Sequence, residues 1–486
     1  MMRQIFAVIF CVTLLTACDS YDRVNWSPDG KRVAVVASDG LRLADEAGNL
    51  SAPVLDHATI CRWLPDSNHA VVVSTKETTN WNDIKELLSA SERAKVSRIG
   101  ERMWKSGSIY NSNSPDVLLV SDAVLYLNYK YGTKPVRARL AKILKMDAPV
   151  SETISVLQTL DLSSKNPSGG PVLWRTTESI DDVRISPMGT LAAVSVDTTG
   201  SEHKIIVLSL NGGAATTVEN SLADFPDWSA DGKSLFYILY PNRPEEKCLK
   251  KINDNQLQWI ATINRQEIAD AHGQVLPKCP AAKTLVELPI AGDSSSHVHC
   301  MADGSVVFNS KQRQFPSITK FQAQSNLFKL SPDFQHVEPM APANELLGDK
   351  LDCFEVNQDG TKIAVPGSHG EVTVLDVASG KVDVLEKAGP DGLTFIPHWR
   401  TKDELCYPTQ NREKDRAHDV DVVLQSLTEP THRVVLSKDW PVKSVGFLKV
   451  PLEPHKMEKH NKPQHNKPQH NKPQYNKPQQ NKPHLH

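Results

Sequence analysis

His297 and His299 are the pair of side chains whose type and spacing best fit metal binding or proton transfer. Alternate residues of a β-strand project from one face, so a strand through this segment would present both imidazoles together. A catalytic zinc site uses three protein ligands, and the further candidates are His398, Asp303 and Asp352. The two histidines are therefore candidates for an incomplete metal site, with polar strand residues facing solvent as the alternative. No cofactor is predicted.

Motifs of the common enzyme classes do not occur in this sequence. There is no G-x-S-x-G nucleophile elbow, which an α/β-hydrolase domain would carry. HExxH, P-loop and strand-linked GxGxxG patterns are also missing, so zinc, nucleotide and dinucleotide sites of those classes lack their residues. A formal net charge of −2 and a pI of about 6.8 leave no global positive field for phosphate binding. The sequence predicts no catalytic residue and no nucleic-acid partner.

The N-terminus carries the pattern of an export signal. One positive charge, Arg3, precedes an apolar run that starts at Ile5 and ends in Leu15-Thr16-Ala17-Cys18. The apolar stretch of 13 residues is shorter than the roughly 20 that a membrane span needs. Residues 1–17 are therefore predicted to be a signal peptide, with cleavage between Ala17 and Cys18.

The last four residues of this leader resemble the lipobox of bacterial lipoproteins. That resemblance implies a lipid on the thiol of Cys18, which would anchor the mature chain to a membrane on the periplasmic side, with 18–23 as a short linker. Asp19 resembles the inner-membrane retention signal of enteric bacteria, which favours the inner membrane and leaves the choice of membrane open.

Six cysteines remain once Cys11 leaves with the leader and Cys18 takes its lipid: Cys61, Cys248, Cys279, Cys300, Cys353 and Cys406. Their spacings contain no CxxC pair, which argues against a thiolate zinc site. An exported chain permits disulfides, and Cys248 and Cys279 share one segment between motifs, so they are the best placed to pair. Buried free thiols are the alternative for the cysteines.

A short motif recurs along the chain. The two best copies are Asn25-Trp26-Ser27-Pro28-Asp29-Gly30-Lys31 and Asp227-Trp228-Ser229-Ala230-Asp231-Gly232-Lys233, and each precedes an apolar run. Weaker copies bring the total to seven, with leading apolar positions at Trp26, Trp63, Ile185, Trp228, Cys300, Val356 and Trp399. The three shortest intervals are 37, 43 and 43 residues, the length of a four-stranded propeller blade.

The motif has the chemistry of a tight hairpin turn. Pro28 sets φ near −65°, Asp29 can bond the local backbone, and Gly30 supplies a positive φ. The Trp before the turn ends one strand and offers an apolar face to the next blade, while the Val/Ile/Leu/Phe-rich run after it forms the following strand. The sequence thus predicts blades of four antiparallel strands.

These repeats resemble the WD-repeat-like blades of the TolB family of periplasmic propeller proteins, most closely at 24–36, 225–238 and 354–380. The resemblance implies an all-β propeller over 24–450 with about seven blades, six or eight being the alternatives. There are two departures from the family: no extra α/β domain precedes the first motif, and the motif occurs seven times instead of six. The resemblance therefore implies a fold and no particular role.

The interval of 122 residues between Trp63 and Ile185 exceeds one blade by about 80 residues. Partly helical spacing of apolar residues predicts a helical insertion at about 76–150, between the second and third strands of blade two. The insertion would either cap the disc or contact a partner, or be merely tolerated there.

A polar tail is predicted at 451–486. It repeats the pentad His-Asn-Lys-Pro-Gln, and its proline content and polarity are typical of disorder. Weak metal binding by its histidines is one interpretation and a flexible basic tail is the other; these histidines are His455, His460, His465, His470, His484 and His486.

Two functions stay open from the sequence. The first is a lipid-anchored envelope scaffold that binds a protein or glycan partner without catalysis. The second is a carbohydrate lyase or hydrolase that works in the propeller channel with a histidine-bound metal. Arg184, His398 and Arg400, taken as equivalent blade positions, are predicted to line the channel mouth. An enzyme needs converging titratable groups, whereas a scaffold needs an exposed apolar patch.

Overall fold

The computed structural model describes the chain from residue 23 to residue 436, with gaps. The described residues are 23–37, 39–78, 87, 152–164, 167–198, 202–213, 215–219, 223–240, 249–253, 256–290, 297–309, 327–340, 354–366, 372–386, 397–410, 420–429 and 431–436. The predicted signal peptide with Ala17 and Cys18, and the tail at 451–486, lie outside them.

The described residues form 28 strands in seven antiparallel sheets, one for each predicted blade. Blade 1 contains β1 (Val24–Trp26), β2 (Arg32–Ala37) and β3 (Gly40–Asp45). Blade 2 contains β4 (Ala58–Trp63), β5 (His69–Thr78), β6 (Glu152–Asp161) and β7 (Ser168–Thr176). Blade 3 contains β8 (Ser179–Ile185), β9 (Leu191–Thr198), β10 (Glu202–Ser209) and β11 (Thr216–Glu219).

The remaining four blades follow in chain order. Blade 4 contains β12 (Ala223–Trp228), β13 (Ser234–Leu239), β14 (Leu249–Asn253), β15 (Gln256–Glu267) and β16 (Lys283–Ile290). Blade 5 contains β17 (Val298–Cys300), β18 (Val306–Asn309), β19 (Leu327–Leu330) and β20 (Val337–Pro339). Blade 6 contains β21 (Glu355–Val356), β22 (Lys362–Pro366), β23 (Val372–Asp376) and β24 (Val382–Glu386). Blade 7 contains β25 (His398–Thr401), β26 (Glu404–Gln410), β27 (Val420–Ser426) and β28 (Arg433–Val435).

The chain is thus an all-β propeller of seven blades, which confirms the predicted fold class and the predicted number. Two blades vary the four-strand plan. In blade 1, the outer position is taken by residues that pair through the isolated bridges Leu41–Leu55 and Ala44–Leu50. In blade 4, β15 pairs with β13, β14 and β16, so the hairpin β14–β15 is an addition to the blade.

Each predicted motif lies at the turn between the first two strands of a blade. In blade 1 the amide of Gly30 donates to the carbonyl of Ser27 at 2.8 Å, and the Ser27 hydroxyl donates to Asp29 at 2.7 Å. Gly30 has a φ of 70°, a value that most side chains disfavour. In blade 2 the same place is taken by Ser67, with a φ of 60°. The local turn chemistry therefore sets where each blade begins.

Side chains packed between blades form the core, in seven clusters that each join two neighbours. Alternation along β2 shows how one strand serves two interfaces: Val33 and Val35 pack against blade 7, whereas Ala34 and Val36 pack against blade 2. A strand buried on both faces is therefore continuously apolar, as the runs after the motifs are.

The ring closes by packing between blades 7 and 1. Among the described residues no strand from one terminus completes a sheet at the other. Arg400 makes the polar part of this contact: its Nε donates to the carbonyl of Gly30 at 2.8 Å, its Nη2 lies 2.8 Å from Glu46, and its guanidinium covers the ring of Trp26. Leu436 contributes the buried apolar part.

The motif tryptophans also join blades through their indole N–H groups. Trp63 donates to the carbonyl of Asn25 at 2.9 Å, and Trp228 donates to that of Arg184 at 3.0 Å. Trp399 does the same to Glu355 at 3.1 Å. Trp26, at the seam between blades 7 and 1, has no oxygen or nitrogen partner.

Replacing Trp228 with phenylalanine is expected to cost about 1–2 kcal/mol more stability than replacing Trp26, because only the first change removes a hydrogen bond to a backbone carbonyl, whereas the indole of Trp26 faces the weakly accepting thiol of Cys406. Both changes remove a similar apolar surface from a buried tryptophan, so Trp26→Phe is the matched control. The measurement is urea unfolding followed by far-UV circular dichroism. Equal losses in the two variants would show that the indole N–H bond contributes nothing.

The predicted insertion lies between the second and third strands of blade 2. Strands β5 and β6 pair from His69 opposite Asp161 to Thr78 opposite Glu152, so residues 79–151 connect their ends. Residues 76–78 belong to β5, so the segment begins at residue 79, close to the predicted start at about 76. Leu87, its one described residue, is helical, and the rest of the predicted helical insertion lies outside the described residues.

Candidate functional site

Seven polar residues occupy the same place in the seven blades. Each directly precedes the leading apolar residue of a motif and lies on the first strand of its blade. First strands contact one another between blades 1 and 2, 2 and 3, 3 and 4, 4 and 5, 6 and 7, and 7 and 1. Because side chains alternate along a strand, these residues face away from the buried motif residue. We call them the polar ring: Asn25, Arg62, Arg184, Asp227, His299, Glu355 and His398.

Asp182 holds the two arginines of the polar ring together. Its Oδ1 accepts from Nη2 of Arg62 at 2.8 Å, and its Oδ2 accepts from Nε of Arg184 at 2.7 Å. Burial opposes ionisation of Asp182, but the two guanidinium groups outweigh it and hold its pKa at about 2. Arg62 also donates to the carbonyl of Val183 at 2.9 Å. This triad ties blade 2 to blade 3.

A histidine and a carboxylate join blades 4 and 5. Nδ1 of His299 lies 3.0 Å from Oδ2 of Asp227, which also accepts from the amide of Cys300 at 2.8 Å. Burial raises the pKa of Asp227, but the positive field and hydrogen bond of His299, together with Arg184, lower it overall. The carboxylate is therefore charged at neutral pH, and it orients the imidazole.

A second histidine and carboxylate join blades 6 and 7. Nδ1 of His398 lies 2.7 Å from Oε2 of Glu355. The backbone carbonyl of Glu355 is at the same time the acceptor for Trp399 of blade 7. The same two blades are thus held by one polar contact in the ring and one indole contact beside it.

His297 and His299, the two predicted candidates for metal binding, have different surroundings. Both lie on one face of their segment, since the residues between and after them are buried. His299 is paired with Asp227, whereas the ring of His297 packs 4.0 Å from that of Phe225, centroid to centroid. Burial, reinforced by the charge of Arg184, lowers the pKa of His297 to about 3, so its imidazole is neutral.

Within the described parts of the chain, no three His, Cys, Asp or Glu side chains are grouped to hold a metal. Of the proposed further ligands, His398 pairs with Glu355 in blade 6. Asp303 lies in the turn of blade 5, bonded to Ser305 and Lys329. Asp352 lies outside the described residues. The predicted histidine pair therefore has no third ligand in the described structure.

Arg400 is not equivalent to Arg184 and His398, which corrects the sequence prediction. Arg184 and His398 precede a motif residue and belong to the polar ring, whereas Arg400 follows Trp399 and lies at the seam between blades 7 and 1. In a regular strand residues 398 and 400 would share a face, but the irregularity between Trp399 and Thr401 interrupts that alternation.

Arg62, Asp227 and Glu355 were missed as site residues by the sequence analysis. The sequence does contain a signal for them: the residue directly before the leading apolar residue of each motif copy belongs to the polar ring. Asp182 has no such signal, since a bulge between Ile180 and Asp182 brings it to Arg62.

The cysteines of the described structure are free thiols: Cys61, Cys279, Cys300 and Cys406. Cys279 therefore forms no bridge in this structure, and Cys248, its predicted partner, lies outside the described residues. Burial raises the pKa of Cys61 to about 12, as it does for Cys300 and Cys406. These three thiols are unreactive core groups.

None of the described segments is a helix with the length and apolarity to cross a bilayer.

Comparison with known proteins shows similarity only to solved structures. No protein-family model matches the chain, and no curated protein matches it either. TolB from Acinetobacter baumannii aligns with a TM-score of 0.37 and 14% identity, over 56% of this chain and 57% of TolB. This chain thus spans little more than half of that protein.

Two enzymes that contain similar folds also align. An oligogalacturonate lyase in complex with manganese matches with a TM-score of 0.40 and 12% identity, covering 72% of this chain and 75% of the lyase. The acylaminoacyl peptidase of Pyrococcus horikoshii matches with a TM-score of 0.36 and 15% identity, covering 57% and 41%. The propeller assignment rests on the seven sheets themselves.

Proposed function

We propose that this protein is an exported, lipid-anchored propeller that binds a partner at its polar ring, as a non-enzymatic scaffold of the cell envelope. The observation that supports it is the pairing of the ring charges across neighbouring blades: Asp182 with Arg62 and Arg184, Asp227 with His299, and Glu355 with His398. Groups held in this way form a preorganised polar surface, which lowers the ordering cost of binding.

The polar ring, and not an apolar patch, is the proposed binding surface. The large apolar side chains that are exposed among the described residues are scattered over several blades: Val172, Met188, Val384, Val434 and Val435. Single exposed apolar residues are ordinary on soluble proteins. The proposed partner, an envelope protein or a glycan, would therefore meet polar chemistry at the disc centre.

The lipid anchor rests on the sequence around Cys18 and is tested separately. We expect the wild-type chain to incorporate labelled palmitate and to yield an acylated N-terminal peptide beginning at Cys18 in mass spectrometry. A Cys18→Ala variant should incorporate no label and keep its leader. Label in that variant, or an unmodified Cys18 in the mature wild-type chain, would contradict the anchor.

The scaffold itself is tested by affinity capture from detergent-solubilised envelopes. We expect a specific envelope protein or glycan with the wild-type chain, and its loss with Arg184→Gln. In a deletion variant, residues 79–151 are replaced by an Asn-Gly turn between Thr78 and Glu152, which can join β5 to β6 because these two residues are paired. This variant should still bind the partner. Loss on deletion alone would place docking on that segment, and no partner with any chain would contradict the scaffold.

The second candidate is a channel enzyme of carbohydrate lyase or hydrolase type. The observation that favours it is the pair of His299 and Asp227, since an imidazole oriented by a carboxylate is a common general base. Its test is turnover of a carbohydrate panel by the wild-type chain and by His299→Gln. Turnover that is lost in the variant would support the enzyme over the scaffold.

A further inference from the structure

Arg184 offers one side of its guanidinium to the centre of the polar ring. Only its Nε is bonded, to Asp182 at 2.7 Å, and its two Nη groups have no hydrogen-bond partner among the described residues. The side chain is 37% exposed, so solvent reaches it. With both Nη groups unbonded, the guanidinium can donate two parallel hydrogen bonds to one carboxylate.

Two carboxylates of the polar ring each keep an unbonded oxygen. Oδ2 of Asp227 takes both the His299 and the Cys300 contacts, which leaves Oδ1 without a partner in the described chain. Oε2 of Glu355 lies 2.7 Å from Nδ1 of His398 but is buried without a hydrogen-bond partner among the described residues. These two oxygens are acceptors for a group that carries several N–H donors.

Arg184 and Asp227 lie on neighbouring first strands, β8 and β12, which contact one another and are joined by the bond from the Trp228 indole to the Arg184 carbonyl at 3.0 Å. The charges of Asp227 and Glu355 both favour the protonated form of Arg184 and, with Asp182, keep its pKa raised despite burial. Neither forms an ion pair with Arg184 in the described structure, where Asp182 is its partner. The ring therefore holds one donor group and two acceptor groups that no side chain bridges.

We propose that the polar ring binds a zwitterionic ligand of the amino-acid or short-peptide class, with its carboxylate on Nη1 and Nη2 of Arg184 and its ammonium on Asp227 and Glu355. This inference rests on the proposed function and names the ligand class of its site. A ligand with only one of the two charges would leave the opposite group of the ring desolvated without compensation. A zwitterion satisfies both and adds no net charge.

The test uses the full chain in detergent and isothermal titration calorimetry with alanine, dialanine and trialanine, which differ in the separation of their charged ends. Each is compared with its N-acetyl form and its C-terminal amide. We expect at least one free-ended probe to bind, and capping either end to weaken it by about tenfold or more, the range for one lost charged contact. Equal affinities for free and capped probes would overturn the proposal.

Variants separate the two ends of the ligand. Arg184→Gln should weaken binding of the free-ended probe about tenfold and leave binding of its C-terminal amide unchanged. Asp227→Asn should likewise weaken binding of the free-ended probe and leave binding of its N-acetyl form unchanged. Lys233→Gln, in the exposed turn of blade 4, is the control and should bind like the wild type. Circular dichroism confirms that each variant is folded.

The failure of this inference differs from a failure of the proposed function. If no alanine probe binds the folded wild type while an envelope partner still depends on Arg184, the zwitterionic class is wrong and the scaffold stands. If the capture also recovers nothing, both are wrong.

Discussion

Replacing Asp182 with alanine is expected to lower the free energy of unfolding by about 3–5 kcal/mol, because breaking a buried ion pair leaves uncompensated charge behind. The side chain of Asp182 is 7% exposed and that of Arg62 is 9% exposed. The variant removes the contact between them, and Arg184 loses the ion-pair partner that it has among the described residues. Few single changes outside the apolar core should cost as much.

Chemical unfolding with urea, followed by tryptophan fluorescence and circular dichroism together, measures this loss. Coincident transitions by the two probes justify a single free energy. The matched control is Asp383→Ala, which removes an exposed carboxylate paired with Lys381 and should change stability by less than about 0.5 kcal/mol. An equal, small loss in both variants would contradict the structural role of the triad.

The same carboxylate predicts a pH dependence. Its pKa is about 2 in the folded chain, below the value of about 3.9 expected when unfolded. The stabilisation from Asp182 is therefore present above pH 4 and is lost as the pH falls towards 2. The wild-type chain should lose more stability across this window than Asp182→Ala does, and parallel losses would show that the carboxylate is not responsible.

Replacing Phe308 with alanine is expected to cost about 3–5 kcal/mol, because the change opens a cavity in a packed core. Phe308 is fully buried on β18 and stacks on Phe328 of β19 with ring centroids 5.7 Å apart. It belongs to the cluster that joins blades 4 and 5. The cavity would therefore loosen the contact between two blades as well as the sheet of one.

Phe308→Leu refines this prediction, since it keeps an apolar side chain of nearly the same reach and should cost about half as much or less. Val384→Ala, on an exposed position of blade 6, should change the unfolding midpoint little. All three are measured in urea under the same conditions. A loss below about 1 kcal/mol for Phe308→Ala would mean that the cluster repacks around the missing ring.

The number of blades and their starting points could be predicted from the sequence because the responsible chemistry is local. A positive φ at Gly30, an Asp29 that accepts within its own turn, and an apolar run after the turn all act within a few residues. Even the eroded copy in blade 2 keeps the geometry, with Ser67 in place of glycine. At Arg400 the position in the motif predicts the wrong side, because an irregularity between Trp399 and Thr401 interrupts the alternation of the strand.

The contacts of the polar ring could not be predicted because their partners are far apart in the chain. Arg62 and Asp182 are separated by 120 residues, and the packing of blade 3 on blade 2 brings them to 2.8 Å. Burial of Val298 and Cys300 puts His297 and His299 on one face of their segment, although His297 precedes β17. That His299 meets Asp227 while His297 packs on Phe225 follows from the neighbouring blade, which no local pattern specifies.

The repeat, its turns and the all-β class can be deduced from the sequence, since each depends on residues in contact along the chain. How the ring closes and which charges pair depends on contacts between blades. Closure is made by Arg400 on Gly30, 370 residues apart, and by the cluster that includes Leu436. Such contacts exist only after every intervening blade has packed, because each blade positions the next one.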